Sequence, residues 1–188
     1  MEIKATELRA ALETQRARLV EYYTQYIQRV FENLVKEFGA DMNSREVRKG
    51  EFPSARSISN NIEGRIWRNV IQPVCTATEI PGGHGRCTYA INPARLSAAA
   101  DRYATDMIEL WLNKITGKMG EVEAATVHGL DWNSYLIAGT RNGQAVRIEQ
   151  QMIINFSGLG NPYNQFPARL YVNGKAISAA AYKKMMAA

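Results

Sequence analysis

The chain's two cysteines and two histidines, Cys75, His84, Cys87 and His128, are the residues from which metal or thiol chemistry would have to be built. Zinc takes thiolates and imidazoles in a tetrahedron, and Cys75, His84 and Cys87 could supply three ligands around one loop. Structural zinc sites show tighter paired spacings, and neither a Cys-x2-Cys nor a His-x3-His pair occurs. Packed cysteines and a loop histidine are the simpler reading, so no metal or other cofactor is expected. As a nucleophile, Cys87 would need an orienting third group, and His84 beside it on a glycine-rich loop provides no fixed geometry. A hydrolase or transferase built on His84 or His128 would require a deep pocket joining the histidine to a carboxylate.

Pro81-Gly82-Gly83-His84-Gly85-Arg86 could cradle an anion, because consecutive glycines let backbone N–H groups converge and Arg86 adds charge. It lacks the Gly-Lys-Ser/Thr ending of a phosphate-binding loop, and a plain flexible surface loop is expected. Glu121 with Glu123, and Asp101 with Asp106, read as solvated charges rather than paired acid–base catalysts.

The stronger signal is electrostatic. The formal charge is +5. Residues 1–133 carry equal numbers of basic and acidic side chains, and the whole excess lies beyond them, where Arg141, Arg147, Arg169, Lys175, Lys183 and Lys184 face Glu149 alone. Arginines fix phosphates bidentately, amides hydrogen-bond bases, and aromatic rings stack on them. Arg147, Arg169, Arg141 and Lys175, with Gln151 and Trp132, are therefore the candidate ligand-binding residues, and Tyr135 offers a second stacking ring. Arg65 and Arg68, on a helix with Arg56 and Trp67, could extend that surface, as could Arg86. No helix-turn-helix pattern or dense basic stripe suggests duplex reading.

With 188 residues, 46% hydrophobic and 22% charged, the chain reads as one soluble globular domain or one domain with an extension. Two cysteines are too few for a disulfide framework and fit a reducing compartment. No apolar run approaches the roughly 18 residues of a membrane helix, and the charged start lacks a secretory core, so a cytoplasmic protein without membrane contact is expected.

The elements that must position these residues begin with a helical period. Leu8, Leu12, Leu19, Tyr23, Tyr26, Val30, Leu34 and Phe38 recur at helical steps from Lys4 to Phe38, with Gly39 as the C-terminal cap. A single helix there would run about 52 Å. The alternative is two helices broken near Thr14-Gln15-Arg16. The thin Leu/Ala stripe of the first turns calls for a partner helix, from this chain or as a coiled coil with a second copy. Residues 39–54 read as a linker. Ser54 to Gln72 can form a helix stopped by Pro73, and within 76–92 the run from Ile80 to Cys87 reads as a flexible glycine loop. Asn92-Pro93 opens a helix to about Lys118 as N-cap and first-turn proline.

Beyond Glu121 the period becomes alternating. Asn142-Gly143 predicts a type I′ hairpin turn with Arg141 opposite Gln144. One face then carries Tyr135, Ile137, Val146, Ile148, Met152, Ile154 and Phe156 into the core. The other carries Trp132, Ser134, Leu136, Arg147, Glu149, Gln151, Ile153 and Asn155. Phe166 to Val172 is a third strand, Asn173-Gly174 turns again, and Ser178 caps a closing helix. The fold expected is α+β: a long N-terminal helix plus two further helices on a small C-terminal antiparallel sheet of three or more strands. Residues 1–53 would form an association arm and linker, and 54–188 the α+β core.

The function expected is that of a non-enzymatic, self-associating, phage-type accessory protein. It would bind a phosphate-bearing ligand, single-stranded nucleic acid or a nucleotide, through its basic sheet. The alternative is a structural or assembly protein, of virion or scaffold type, whose long helix and Tyr22, Tyr23 and Tyr26 make protein contacts.

Overall fold

An Asn-Gly pair tolerates the positive φ angles that a two-residue type I′ turn demands, and its twist matches that of the flanking strands. In the computed structural model, Asn142 and Gly143 have φ of 49° and 72°, and Arg141 lies opposite Gln144 as the turn requires. The structure describes residues 2–39, 66–83, 86–154, 163–165 and 167–187. By backbone contacts these fall into two compact units, one from the described residues within Met1–Arg18, Thr105–Asn155 and Tyr163–Ala188, the other from those within Leu19–Ala104.

Eight strands are present among the described residues: β1 (Cys75–Glu79), β2 (Cys87–Ile91), β3 (Glu123–Asp131), β4 (Ser134–Arg141), β5 (Gln144–Ile154), β6 (Tyr163–Gln165), β7 (Arg169–Val172) and β8 (Lys175–Ile177). The helices are α1 (Leu8–Glu13), α2 (Arg16–Phe38), α3 (Pro93–Met119) and α4 (Ala179–Ala187). The protein is thus mixed helix and sheet, with long helices and an antiparallel sheet ordered β3-β4-β5-β7-β8, to which β6 adds on β5. The C-terminal sheet, expected to hold three or more strands, has five on this path, and β1 with β2 makes a separate pair. A second Asn-Gly turn, with φ of 47° at Asn173 and 77° at Gly174, closes β7 onto β8.

In the first unit the alternation along β4 and β5 is as the turn dictates. Tyr135, Ile137, Val146 and Ile148 are buried, while Arg147 and Gln151 are exposed. Val127 of β3 and Leu170 of β7 continue the buried row through their pairing with Ile137 and Ile148. Met107, Ile108, Trp111, Ile115 and Met119, one face of α3, are buried in the same unit, and the Trp111 ring meets Tyr135 edge-on at 6.0 Å. β3 is bulged twice, at Glu123/Thr126 and His128/Asp131, with positive φ at Ala124 and Gly129. Gly139 permits the first bulge, because a Cβ there would stand 2.6 Å from the Glu123 carbonyl oxygen.

The N-terminal helix is not continuous. After a 3-10 turn at Ala5–Glu7, α1 ends at Glu13 and α2 starts at Arg16. Gln15 donates its N–H to Leu12 rather than one residue further back, and the Thr14 hydroxyl donates to the Ala11 carbonyl at 2.6 Å. These short-range bonds compete with the helical ladder at a sequence of low apolar content. Gly39, at φ 79°, caps the far end by donating to the Val35 carbonyl. The leucines that called for a partner helix find cover in their own chain: Leu8 and Leu12 are buried, Arg9 pairs with Glu109 of α3, and Arg16 donates to Thr105 at 2.9 Å.

In the second unit Asn92 caps α3 by accepting the Arg95 N–H on its side-chain oxygen at 3.1 Å, with Pro93 at the first helical position. The expected loop is flanked by two strands that the sequence did not suggest: β1 ends at Glu79, β2 begins at Cys87, and the two pair antiparallel. Of the helix expected over 54–72, most lies outside the described residues. Its end is a π turn, Trp67–Ile71, running into the 3-10 turn Gln72–Val74 that carries Pro73. Tyr23 is buried with its ring 5.5 Å from Tyr103, and Trp67 meets Tyr89 edge-on at 4.9 Å. No helix among the described residues is long and apolar enough to cross a membrane.

Burial of the α1 leucines within one chain has a measurable consequence. Leu12→Ala should lower the unfolding free energy by about 2–5 kcal/mol, by an amount independent of protein concentration. A loss that grows on dilution would instead place Leu12 in an interface between copies.

Candidate functional site

The open face of the sheet is organised by register. On it, His128 of β3, Leu136 of β4, Glu149 of β5 and Arg169 of β7 form one cross-strand row. The neighbouring row contains Thr126, Ala138, Arg147 and Tyr171. None of these residues is buried. A cavity of about 590 Å³ opens at the first row, where His128, Glu149 and Arg169 contribute to its walls. Ser134 and Gln151, opposite one another on β4 and β5, also line it, as do Tyr135 and Gln150 from the covered face.

The ionic groups here are unequally committed. The Arg147 guanidinium lies over the Tyr171 ring, 4.3 Å from its centroid, and pairs with Glu149 at 3.2 Å. Both interactions fix Arg147 flat along the sheet. Arg169 is exposed at the cavity wall, and among the described residues no hydrogen bond or ion pair engages its guanidinium. Across the row, His128 Nε2 shares a hydrogen bond of 2.9 Å with the Thr126 hydroxyl and stands 4.0 Å from the Glu2 carboxylate. His128 and Glu149 are two strand spacings apart, about 9.6 Å, with Leu136 between them. Among the described residues no ion pair joins the two side chains, and a ligand could touch both.

The expected site residues do not all converge. Arg147, Arg169 and Gln151 share the open face, and Arg169 and Gln151 share the cavity. Arg141 and Lys175 fall on the other side of the register: Arg141 donates to the Met186 carbonyl of α4 at 3.3 Å, and Lys175 lies opposite Val172 at the β7–β8 turn. Trp132 is half-buried in the β3–β4 turn, held where Asp131 accepts its backbone N–H at 2.8 Å and Arg18 at 3.0 Å. Arg68 and Arg86 belong to the second unit, Arg68 exposed on the π turn and Arg86 half-buried in the β1–β2 loop. Arg65 lies outside the described residues.

Three of the backbone donors that an anion cradle would use are engaged within the loop. The N–H groups of Ile80, Gly83 and Arg86 are spent on the carbonyls of Arg86, Ile80 and Gly83 within the loop itself. His84 lies outside the described residues. Cys75 and Cys87 face Ile91 and Glu79, not each other, and burial raises the Cys75 thiol to about 11, far from a reactive thiolate.

Sequence reasoning passed over Glu149, Ser134 and Gln150 as site residues, named Tyr135 as a stacking ring, and weighed His128 only for metal or catalysis. The signal for Glu149 was available, since the Asn-Gly turn already set it beside Arg147 and Gln151. Nothing local placed His128, because its position depends on a strand pairing interrupted by two bulges.

The cavity's Tyr135 and the closing helix's Tyr182 make a pH test. Burial pushes the Tyr135 phenol up to about 12, and the charge of Glu121 adds to the shift. Burial likewise raises Tyr182 to about 12, reinforced by Glu121, which accepts its hydroxyl at 3.2 Å. A phenol raised above its ordinary value of 10.0 stabilises the fold fully below pH 10, and that contribution is lost as pH rises through about 12. Ultraviolet titration should show Tyr135 and Tyr182 ionising late, toward pH 12, with unfolding free energy falling across that window and falling less in Tyr182→Phe. Ionisation of all tyrosines together, with the fold intact, would contradict the packing described.

No protein-family model matches this sequence, and no curated protein or solved structure matches it either.

Proposed function

We propose that this protein binds a phosphate-bearing ligand, a nucleotide or single-stranded nucleic acid, on the open face of its β3–β4–β5–β7 sheet, with Arg169 as the phosphate contact. The observation that carries this reading is the Arg169 guanidinium, an uncommitted cation among the described residues at the wall of a cavity of ligand size. Its planar fork of donors matches two phosphate oxygens at once. Arg147 plays a subordinate part. By pairing with Glu149 it offsets a cavity-lining carboxylate that would repel an anion.

Self-association is not needed for this role, and the leucines that suggested it are buried in the monomer. The assembly reading keeps one specific support: half-buried Tyr22 and Tyr26 stack at 6.2 Å on α2, with Arg29 over the Tyr26 ring at 5.7 Å. Aromatic and arginine side chains together are enriched at protein interfaces. Under that reading Tyr26→Ala, not Arg169→Ala, is the change that alters behaviour.

Calorimetry at low salt with a mononucleotide and with a short single-stranded oligonucleotide tests the proposal. Arg169→Ala should weaken binding about 10- to 100-fold, the worth of a charge-assisted hydrogen-bond pair. Lys175→Ala, across the sheet, should leave it unchanged. Oligonucleotide affinity should also fall steeply with added salt. Equal losses in both variants, or no binding by the wild type, would overturn the proposal.

A further inference from the structure

The cavity is placed by a change of partner along one strand. β7 pairs with β5 over Val146–Glu149, and β6 pairs with it over Met152–Ile154. Gln150 and Gln151 fall in the gap between those two ladders. Gln150 spans it locally, its side-chain Nε2 donating to the Gln151 carbonyl at 3.1 Å. Across β4 the same two residues stand opposite Tyr135 and Ser134. Four neutral hydrogen-bonding side chains therefore line one end of the cavity as two consecutive cross-strand pairs. Gln150 is 4% exposed, so its amide is already desolvated on the protein side.

The opposite end is ionic. Going back along β5 from Gln151, the next residue on the open face is Glu149, and Arg169 stands across from it on β7. Strand geometry puts the Gln151 and Arg169 Cα atoms about 8 Å apart: ~6.8 Å along the strand and ~4.8 Å across it. The cavity thus runs from amides, past a carboxylate, to a guanidinium. Leu136, between His128 and Glu149, gives it an apolar patch on which a ring can lie.

That order matches one chemical class. Amides hydrogen-bond the donor and acceptor edge of a nucleobase. A carboxylate accepts from sugar hydroxyls and retains lone pairs beyond those taken by Arg147. The guanidinium takes the phosphate. Resting on the phosphate-binding reading above, we infer that the site takes a ribonucleoside monophosphate. Its base meets Gln151 and Ser134, its ribose hydroxyls meet Glu149, and its phosphate meets Arg169.

Isothermal titration of the whole chain with the four ribonucleoside monophosphates, their deoxy counterparts, ribose 5-phosphate and inorganic phosphate separates this claim from the one it rests on. At least one ribonucleoside monophosphate should bind tenfold or more tighter than ribose 5-phosphate. Gln151→Ala, an exposed position, should bring that nucleotide to the level of ribose 5-phosphate without altering ribose 5-phosphate itself, and Ser134→Ala should act in the same direction. Glu149→Gln should narrow the gap between the ribo and deoxy forms. Equal affinity for the nucleotides and ribose 5-phosphate, all lowered by Arg169→Ala, would overturn base selection while leaving phosphate binding intact. An absence of binding by every phosphate compound would overturn both.

Discussion

The register of one hairpin governs the first unit. With Asn142 and Gly143 in the turn, Arg141 must lie opposite Gln144, and each outward step then fixes another pair to Ser134 opposite Gln151. Side chains alternate along a strand, so a slip of one residue would exchange the faces, driving Arg147 and Glu149 into the core and Ile148 into water. Burying an arginine and a carboxylate without designed partners costs several kcal/mol. The buried row of Val127, Tyr135, Ile137, Val146, Ile148 and Leu170 therefore holds the polar row in place on the other side.

The charge distribution follows from the same register. The basic excess of the last third of the chain is not one surface: Arg141 bonds to α4, Lys175 stands at the far side of a turn, and Arg147 is held by Tyr171 and Glu149. Among the described residues, Arg169 is the open-face arginine of this stretch that no hydrogen bond or ion pair engages. A ligand site here depends less on net charge than on which cation is left uncommitted next to a cavity, and that cavity takes in Gln150 and Gln151, where β5 changes partner from β7 to β6.

Local chemistry made some of this legible from sequence. Both Asn-Gly turns, the Asn92-Pro93 helix start and the Gly39 cap are short-range devices, and each appears where its residues require it. β3 was missed because Ala124 and Gly129 break its alternation at two bulges. β1 and β2 were hidden by the Pro-Gly-Gly turn between them and by the exposure of most of β1. The candidate site divides in the same way. Arg147, Gln151 and Glu149 could be placed on one face from the turn alone, whereas His128 and Arg169 join them only through long-range pairings that no window of sequence displays. The switch of β5 from β7 to β6, beside which Gln150 and Gln151 line the cavity, is of that second kind.

The most direct measurement is a backbone and arginine side-chain NMR titration of the protein with inorganic phosphate. If the open face is the ligand site, shifts will concentrate at Arg169 with Leu136 and Glu149, the residues beside it in the row, and Arg169 side-chain protons will become protected. Shifts centred on Arg86 in the β1–β2 loop, on Lys175, or spread evenly over all exposed cations would contradict it.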